Sequence, residues 1–448
     1  MNGLTSMSRS PYLRFMMLRL PARCGVFCSI LALTLLLTAC NEDPGSIGSG
    51  YLPENVTFHT YVLQPQEFGV MSGIAAASNS SAEGVTQILA GEAPDGTIAY
   101  ALIALTSVPG VLDDGIDRPV TSATFTVRAA EYLYGDTSAG RVALDLVVLD
   151  EVFAVNAKYS EETAAKVRNA TVLGSVDTTY NDSGFVTFAL DPIETARFVR
   201  SYFRWDTVSV INGVVDRRFT SLKSLALRPG TGSRAIASFL GVTGVIDSLR
   251  PTLSVRLGDT TGIIRSGATS WITRNDAPSG DGRFVLSAGL PIRSLLTFQL
   301  DSIPTGAVIH QAELRIYVVS GSWTHGTLPE PDNLIAYLAG DTSFSTSGYL
   351  TSSIGYLAVS RFADTTGGGT VYRITALGPI MTRWLRTSIG ADNLPNRGLI
   401  VALNRPLIGR ASESVTVDRM RFHGPDDPDP RLRPSLTVTY SVQSNANQ

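Results

Sequence analysis

A strand pattern occurs twice in this chain, and it limits the fold more than any other feature. Leu249-Arg250-Pro251-Thr252-Leu253-Ser254-Val255 returns 183 residues later as Leu432-Arg433-Pro434-Ser435-Leu436-Thr437-Val438. Leu253, Val255 and Leu257 alternate with polar neighbours, as do Leu436, Val438 and Tyr440. A period of two means a strand with one buried face, and proline is tolerated at its first residue.

Further pairs follow in the same order. Ala123-Thr124-Phe125-Thr126-Val127-Arg128-Ala129 matches Ala312-Glu313-Leu314-Arg315-Ile316-Tyr317-Val318, with Phe125/Leu314 and Val127/Ile316 on the inward face. Ser107-Val108-Pro109-Gly110 matches Ser302-Ile303-Pro304-Thr305-Gly306. Pro192-Ile193-Glu194-Thr195-Ala196-Arg197-Phe198-Val199-Arg200 matches Pro379-Ile380-Met381-Thr382-Arg383-Trp384-Leu385-Arg386. Proline suits the first position of a helix, and Ile380/Trp384 and Met381/Leu385 are then i, i+4 neighbours. Matches kept in one order indicate a duplication.

We therefore expect an all-β chain of two tandem β-sandwich, jelly-roll-like domains, residues 51–258 and 259–443, with one or two short helices each. A further helix is expected from Ser160, with Glu161 and Glu162 near its positive end. Residues 444–448 read as a disordered tail. A length of 448 residues agrees with two domains. A net charge of −3 supplies no basic field, so nucleic acid is not an expected partner.

The N-terminal region has its own pattern. Arg9, Arg14, Arg19 and Arg23 precede an apolar run from Val26 to Leu37. That run is shorter than the about 20 residues a transmembrane helix needs. It ends at Leu37-Thr38-Ala39-Cys40, which resembles the lipobox of bacterial lipoproteins. The resemblance implies a signal peptide over residues 1–39 and a lipidated, palmitate-carrying Cys40. A buried helix that happens to end in cysteine is the alternative. The other cysteines, Cys24 and Cys28, fall within the signal region. An exported chain would keep only Cys40, which excludes internal disulfides and cysteine-based chemistry.

Residues 40–50 form a polar, glycine-rich flexible tether. Asn41 after the cysteine resembles enterobacterial sorting to the outer membrane. Glu42 and Asp43 resemble the acidic export signal of Bacteroidetes surface lipoproteins, although a merely soluble linker reads the same way.

Leu295-Leu296-Thr297-Phe298-Gln299-Leu300-Asp301-Ser302-Ile303-Pro304-Thr305-Gly306, followed by Ala312-Glu313-Leu314, resembles the DNRLRE domain. So does Arg433-Pro434-Ser435-Leu436-Thr437-Val438-Thr439-Tyr440. The resemblance implies jelly-roll-like modules of secreted and surface proteins, some associated with polysaccharide binding. The eponymous string itself is absent, which leaves the ligand open. Ile47-Gly48, Leu52-Pro53 and Tyr134-Gly135-Asp136-Thr137 resemble a family of Bacteroidetes lipoproteins.

Catalytic motifs are missing: no G-x-S-x-G, no H-E-x-x-H and no P-loop lysine. His59, His310, His325 and His423 show no metal-ligand spacing. Scattered carboxylates leave a paired-carboxylate glycosidase open. Asp426, Asp427 and Asp429 form an acidic loop that is either a weak Ca²⁺ candidate or a rigid solvated turn. Trp271, Trp323 and Tyr349 are candidates for stacking on sugar rings, core packing being their commoner fate. The expected function is that of a non-catalytic, cofactor-free lipoprotein of the outer membrane, held there by its lipid and binding a polysaccharide. Assembly with another outer-membrane protein is the alternative.

Overall fold

The architecture is that of a computed structural model. It describes residues 56–74, 86–105, 118–138, 140–153, 161–182, 184–212, 214–221, 223–242, 244–274, 283–287, 292–339, 357–363, 369–386, 394–403 and 416–443. The expected signal peptide with Cys40, the tether, Tyr349 and the tail lie outside the described residues.

The chain is predominantly β. It begins with β1 (Val56–Val62), β2 (Phe68–Ile74), β3 (Gln87–Glu92), β4 (Ile98–Leu105), β5 (Val120–Gly135) and β6 (Arg141–Leu149). After helix α1 (Glu161–Asn169) come β7 (Thr171–Thr179) and β8 (Phe185–Leu190), then α2 (Pro192–Tyr202) and a hairpin of β9 (Phe203–Ile211) and β10 (Val214–Ser221). β11 (Ser224–Pro229), β12 (Ala235–Leu240), β13 (Thr252–Leu257) and β14 (Thr260–Arg274) follow. Next are β15 (Phe284–Ser287), β16 (Ile292–Phe298), β17 (Val308–Tyr317), β18 (Asn333–Leu338), β19 (Leu357–Ala363) and β20 (Thr370–Ile374). The chain closes with α3 (Gly378–Trp384), β21 (Leu399–Leu403), β22 (Arg419–Phe422) and β23 (Ser435–Gln443).

The repeated segments occupy matching places. β13 pairs antiparallel with β5 so that Leu253 faces Phe125 and Val255 faces Ala123. β23 pairs with β17 so that Leu436 faces Leu314 and Val438 faces Ala312. The residues matched by sequence therefore pair in the same register. On the other side of each central strand, Phe188 of β8 faces Phe125, and Ile374 of β20 faces Leu314. All of these inward side chains are buried. Within each unit a helix follows the strand that pairs on that other side, α2 after β8 and α3 after β20. Pro192 opens α2 after Asp191, whose carboxylate accepts from the N–H groups of Ile193 (2.9 Å) and Glu194 (2.8 Å), a side-chain cap. Pro379 stands in the first turn of α3. The helix expected from Ser160 is α1, from Glu161, although Ser160 itself lies outside the described residues.

Both large sheets curl. In the first, β14 pairs through Thr260–Arg265 with β13 and through Ser266–Arg274 with β4, bulging between Ser266 and Ala268. The order β14-β13-β5-β12-β3-β4 thus returns to β14, closing these strands on one another, while β11, β6 and β7 extend the sheet beyond β4. In the second, order β1-β23-β17-β20-β19-β18-β21-β16-β2, consecutive strands β1 and β2 stand at opposite ends. Only residues 63–67 join them, a link of at most about 18 Å, so the two ends must come round toward each other.

Strand membership does not follow the expected boundary at 258/259. β14 lies beyond it yet belongs to the first sheet. β1 and β2, placed by the expectation in the first domain, belong to the second sheet. Backbone hydrogen bonding outweighed sequence proximity here: the matched segments share order and register, but each end of the second sheet takes a strand from the other end of the chain.

One compact unit is Phe58–Val442, which holds the bulk of both sheets. The other is Met1–Thr57 with Gln443–Gln448, almost wholly outside the described residues. A buried polar seam within Phe58–Val442 ties the halves together. The Tyr132 hydroxyl donates to Asp418 Oδ1 (2.9 Å) and accepts from the Val417 N–H (3.0 Å), and the Gly326 N–H donates to the same carboxylate (2.9 Å). Thr327 exchanges backbone and side-chain hydrogen bonds with Leu133 and Glu131. A Cβ at Gly326 would lie 2.3 Å from the Leu133 carbonyl oxygen, so only glycine lets the backbones meet.

Candidate functional site

Next to the seam, a short ribbon carries alternating chemistry. β22 reads Arg419-Met420-Arg421-Phe422 and pairs with β15 so that Phe284 faces Phe422 and Val285 faces Arg421. Met420 and Phe422 point into the core, where the Phe422 ring stacks on Phe284 at 4.9 Å. Alternation then sends Arg419 and Arg421 to the other face. Residues 319–324 lie along the free side of β22. The Val319 N–H donates to the Arg421 carbonyl (2.9 Å), and Thr324 and Arg419 exchange backbone bonds of 2.9 and 2.8 Å. Ser322 Oγ accepts from the Arg421 N–H (3.2 Å) and donates to the Arg421 carbonyl (3.1 Å). Between them the chain reverses, the Ser322 N–H bonding the Val319 carbonyl (3.0 Å) with Gly321 at φ +69°. A positive φ at the third residue of such a turn favours glycine.

This loop separates two hollows. One, of about 370 Å³, is lined by Arg283, Arg419, Arg421, Ser320, Ser322 and Val285, among others. The other, of about 610 Å³, meets Val319, Trp323, Glu330, Asp332, Arg361 and Phe362. Within the larger hollow, Trp323 stacks on His325 at 5.4 Å and 13°. Phe362 is 43% exposed and lies under the Arg373 guanidinium at 4.7 Å. Arg361 pairs with Glu330 at 2.6 Å, and its N–H donates to the Asp332 carbonyl (2.9 Å). Two aromatic rings beside an ion pair rich in donors and acceptors can hold a hydroxylated ring by stacking and hydrogen bonding.

No known family model matches this chain, and no curated protein matches its sequence. The site is therefore read from its own geometry.

Of the sequence-nominated aromatics, Trp323 stands in the larger hollow and Tyr349 lies outside the described residues. Trp271 is corrected. It sits in β14 opposite Ala101, is 2% exposed and packs in the first core, so it offers no face to a sugar. A bulky aromatic on the inward face of a closed sheet is excluded from solvent.

The acidic loop reads as a turn. Asp427 Oδ2 meets His423 Nδ1 at 2.7 Å, and Asp427 Oδ1 accepts from the Asp429 N–H (3.0 Å). Burial pushes the Asp427 carboxyl up, but these hydrogen bonds outweigh it and hold the group below the usual range. Asp429 is held at about 2 by the hydrogen bonds of Arg431. Asp426 is exposed. With Asp427 and Asp429 engaged within the loop, the three carboxylates do not converge on a Ca²⁺ position, and no cluster of three metal-ligating side chains occurs among the described residues. The lipobox residues Leu37, Thr38, Ala39 and Cys40 lie outside the described residues.

Sequence reasoning missed Arg283, Arg361, Phe362, Arg419 and Arg421. The alternation Arg419-Met420-Arg421-Phe422 was a legible signal for a strand with one cationic face. Nothing local marked Phe362 and Arg361 as neighbours of Trp323, because strand pairing brings them together.

Proposed function

We propose that this chain is a non-catalytic, lipid-anchored envelope protein that binds a polysaccharide in the larger hollow. The supporting observation is the placement there of exposed Phe362 beside Trp323 and the Glu330–Arg361 pair. In this reading Cys40 carries the lipid after removal of residues 1–39, residues 40–50 space the protein from the outer membrane, and two duplicated sandwich-like modules form the exported body. The DNRLRE-like segments support the same assignment.

Retention of the lipid-free chain from Asn41 on immobilised neutral and acidic glycans tests the binding. Phe362→Ala should abolish retention without reducing-sugar release at any stage. Release of sugar that disappears on replacing one carboxylate would refute the non-catalytic reading. For the anchor, a palmitate analogue should label the wild-type chain but not Cys40→Ser.

A second reading, assembly with another outer-membrane protein, is favoured by the strands at the ends of the second sheet. β1 and β2 expose Phe58, Val62 and Met71, and unpaired strand edges recruit partners. Specific capture of one outer-membrane protein, with no glycan retained, would favour it.

A further inference from the structure

One corner of the second sheet carries exposed apolar side chains and no formal charge. β1 pairs with β23, the Leu63 N–H bonding the Leu436 carbonyl (3.0 Å) and Thr60 Oγ1 meeting Thr439 Oγ1 at 3.5 Å. Alternation puts Phe58, Thr60 and Val62 on one face and turns His59 and Tyr61 to the other. His59 accordingly stacks at 5.3 Å on Tyr440, a member of the second core. On the opposite face the Phe58 ring lies 5.1 Å from that of His310, whose Nε2 meets Ser441 Oγ at 2.8 Å. Val308 stands opposite Ser441 in the register of β17 with β23, and cross-strand partners share a face. Phe58 is 47% exposed, Val62 46% and Val308 58%. β1, β23 and residues 302–312 contain no Asp, Glu, Lys or Arg, in a chain of which 17% is charged. Charge returns only at the margins, with Glu313 paired to Arg315 at 2.5 Å and Glu67 accepting from Tyr61 and Ser302.

What covers this face follows from where the chain enters it. β1 opens at Val56, 16 residues after Cys40. Sixteen residues span at most about 55 Å, and a flexible tether of that length averages about 20–25 Å end to end. With Cys40 acylated, a bilayer surface stays within reach of Phe58 at high effective concentration. Exposed apolar side chains among uncharged polar ones suit the headgroup boundary, where desolvating a charge would oppose entry. We infer that the face bearing Phe58, Val62 and Val308 rests on the lipid bilayer to which the chain is tethered. The inference rests on the lipid-anchor reading, and it gives Phe58 a different occupant from the assembly reading.

The test tethers the mature chain chemically. The chain beginning at Cys40 has a single thiol, which couples to a maleimide-bearing lipid in phosphatidylcholine vesicles whether or not cells acylate it. Phe58→Trp adds a fluorophore to the face, acyl-brominated phosphatidylcholine quenches it on contact, and the wild type supplies the background of the four native tryptophans. The added emission of Phe58→Trp should be strongly quenched, and that of Ile193→Trp, an exposed position on α2, should be unchanged. Combining Val308→Glu with Phe58→Trp should cut the quenched fraction about fivefold. Val308 is more than half exposed, so its replacement leaves the core intact. Full emission from tethered Phe58→Trp would overturn the inference, as would equal quenching at Ile193, which marks indiscriminate collapse onto lipid. Absent quenching, together with a dimer in sedimentation that Val308→Glu dissociates, would give the face to a second copy instead. Palmitate-analogue labelling in cells decides the anchor separately. Quenching without labelling would keep the lipid-facing surface and remove the acyl anchor; labelling without quenching would keep the anchor and remove the surface.

Discussion

Tyr132→Phe tests the seam between the halves. The ring stays, so packing is preserved and only one hydroxyl leaves. In the wild type that hydroxyl is fully buried, and burial, with the Asp418 carboxylate next to it, pushes its pKa far above the usual phenol value. It therefore remains a donor to Asp418 Oδ1 at 2.9 Å and an acceptor for the Val417 N–H at 3.0 Å. Removing it deletes a hydrogen bond to a charged group, worth about 1.5–3 kcal/mol. It also leaves the buried Val417 N–H without that acceptor, at about 1–3 kcal/mol. With partial relaxation the expected loss is about 3–5 kcal/mol. Tyr134→Phe is the internal control. Its hydroxyl donates to Asp95 Oδ2 at 2.6 Å, but the Asp95 side chain is 31% exposed and also accepts from the Thr97 N–H. Water can replace that bond, so the expected loss is about 1 kcal/mol. Guanidinium denaturation of both variants, followed by tryptophan fluorescence, makes the comparison. Equal losses, or a Tyr132→Phe loss below about 1 kcal/mol, would refute the view that this seam is a stabilising buried network.

The Asp95 carboxyl is pushed up by burial, but hydrogen bonds from Tyr134 and from Thr97 outweigh this and lower it overall. A lowered carboxyl contributes stability above its unfolded pKa of about 3.9. That stability is lost as pH falls through the lower folded value, so the wild-type melting temperature should drop below about pH 4 more steeply than that of Asp95→Asn; parallel curves would contradict this. Trp271→Ala should cost about 3–5 kcal/mol as a core cavity, whereas Phe362→Ala should stay within about 0.5 kcal/mol, both read by denaturation. Residues 263–448 made alone should fail to melt cooperatively, because β1, β2 and the Tyr132 side of the seam are missing; a sharp, reversible transition would refute that dependence.

Period-two alternation was sufficient to identify the inward faces of β5, β13, β17 and β23, because a strand with one buried face must alternate. The ordered repeats likewise anticipated that Leu253 and Leu436 would meet equivalent partners, Phe125 and Leu314. Proline in the first turn anticipated α2 and α3. The Leu37-Thr38-Ala39-Cys40 pattern is purely local, and its reading rests on sequence alone. Tertiary structure decided what depends on distant segments. Alternation says which face of a strand is buried, but not which strand lies beside it. Hence β14 crossed the expected boundary, and β1 and β2 took their places at the ends of the second sheet. The same gap explains the site. Trp271 and Trp323 look alike as residues, yet a closed sheet buries one and a loop beside β22 places the other in a hollow. Arg283 is more than a hundred residues from Arg419 and Arg421, and antiparallel pairing of β15 with β22 brings it to the same hollow.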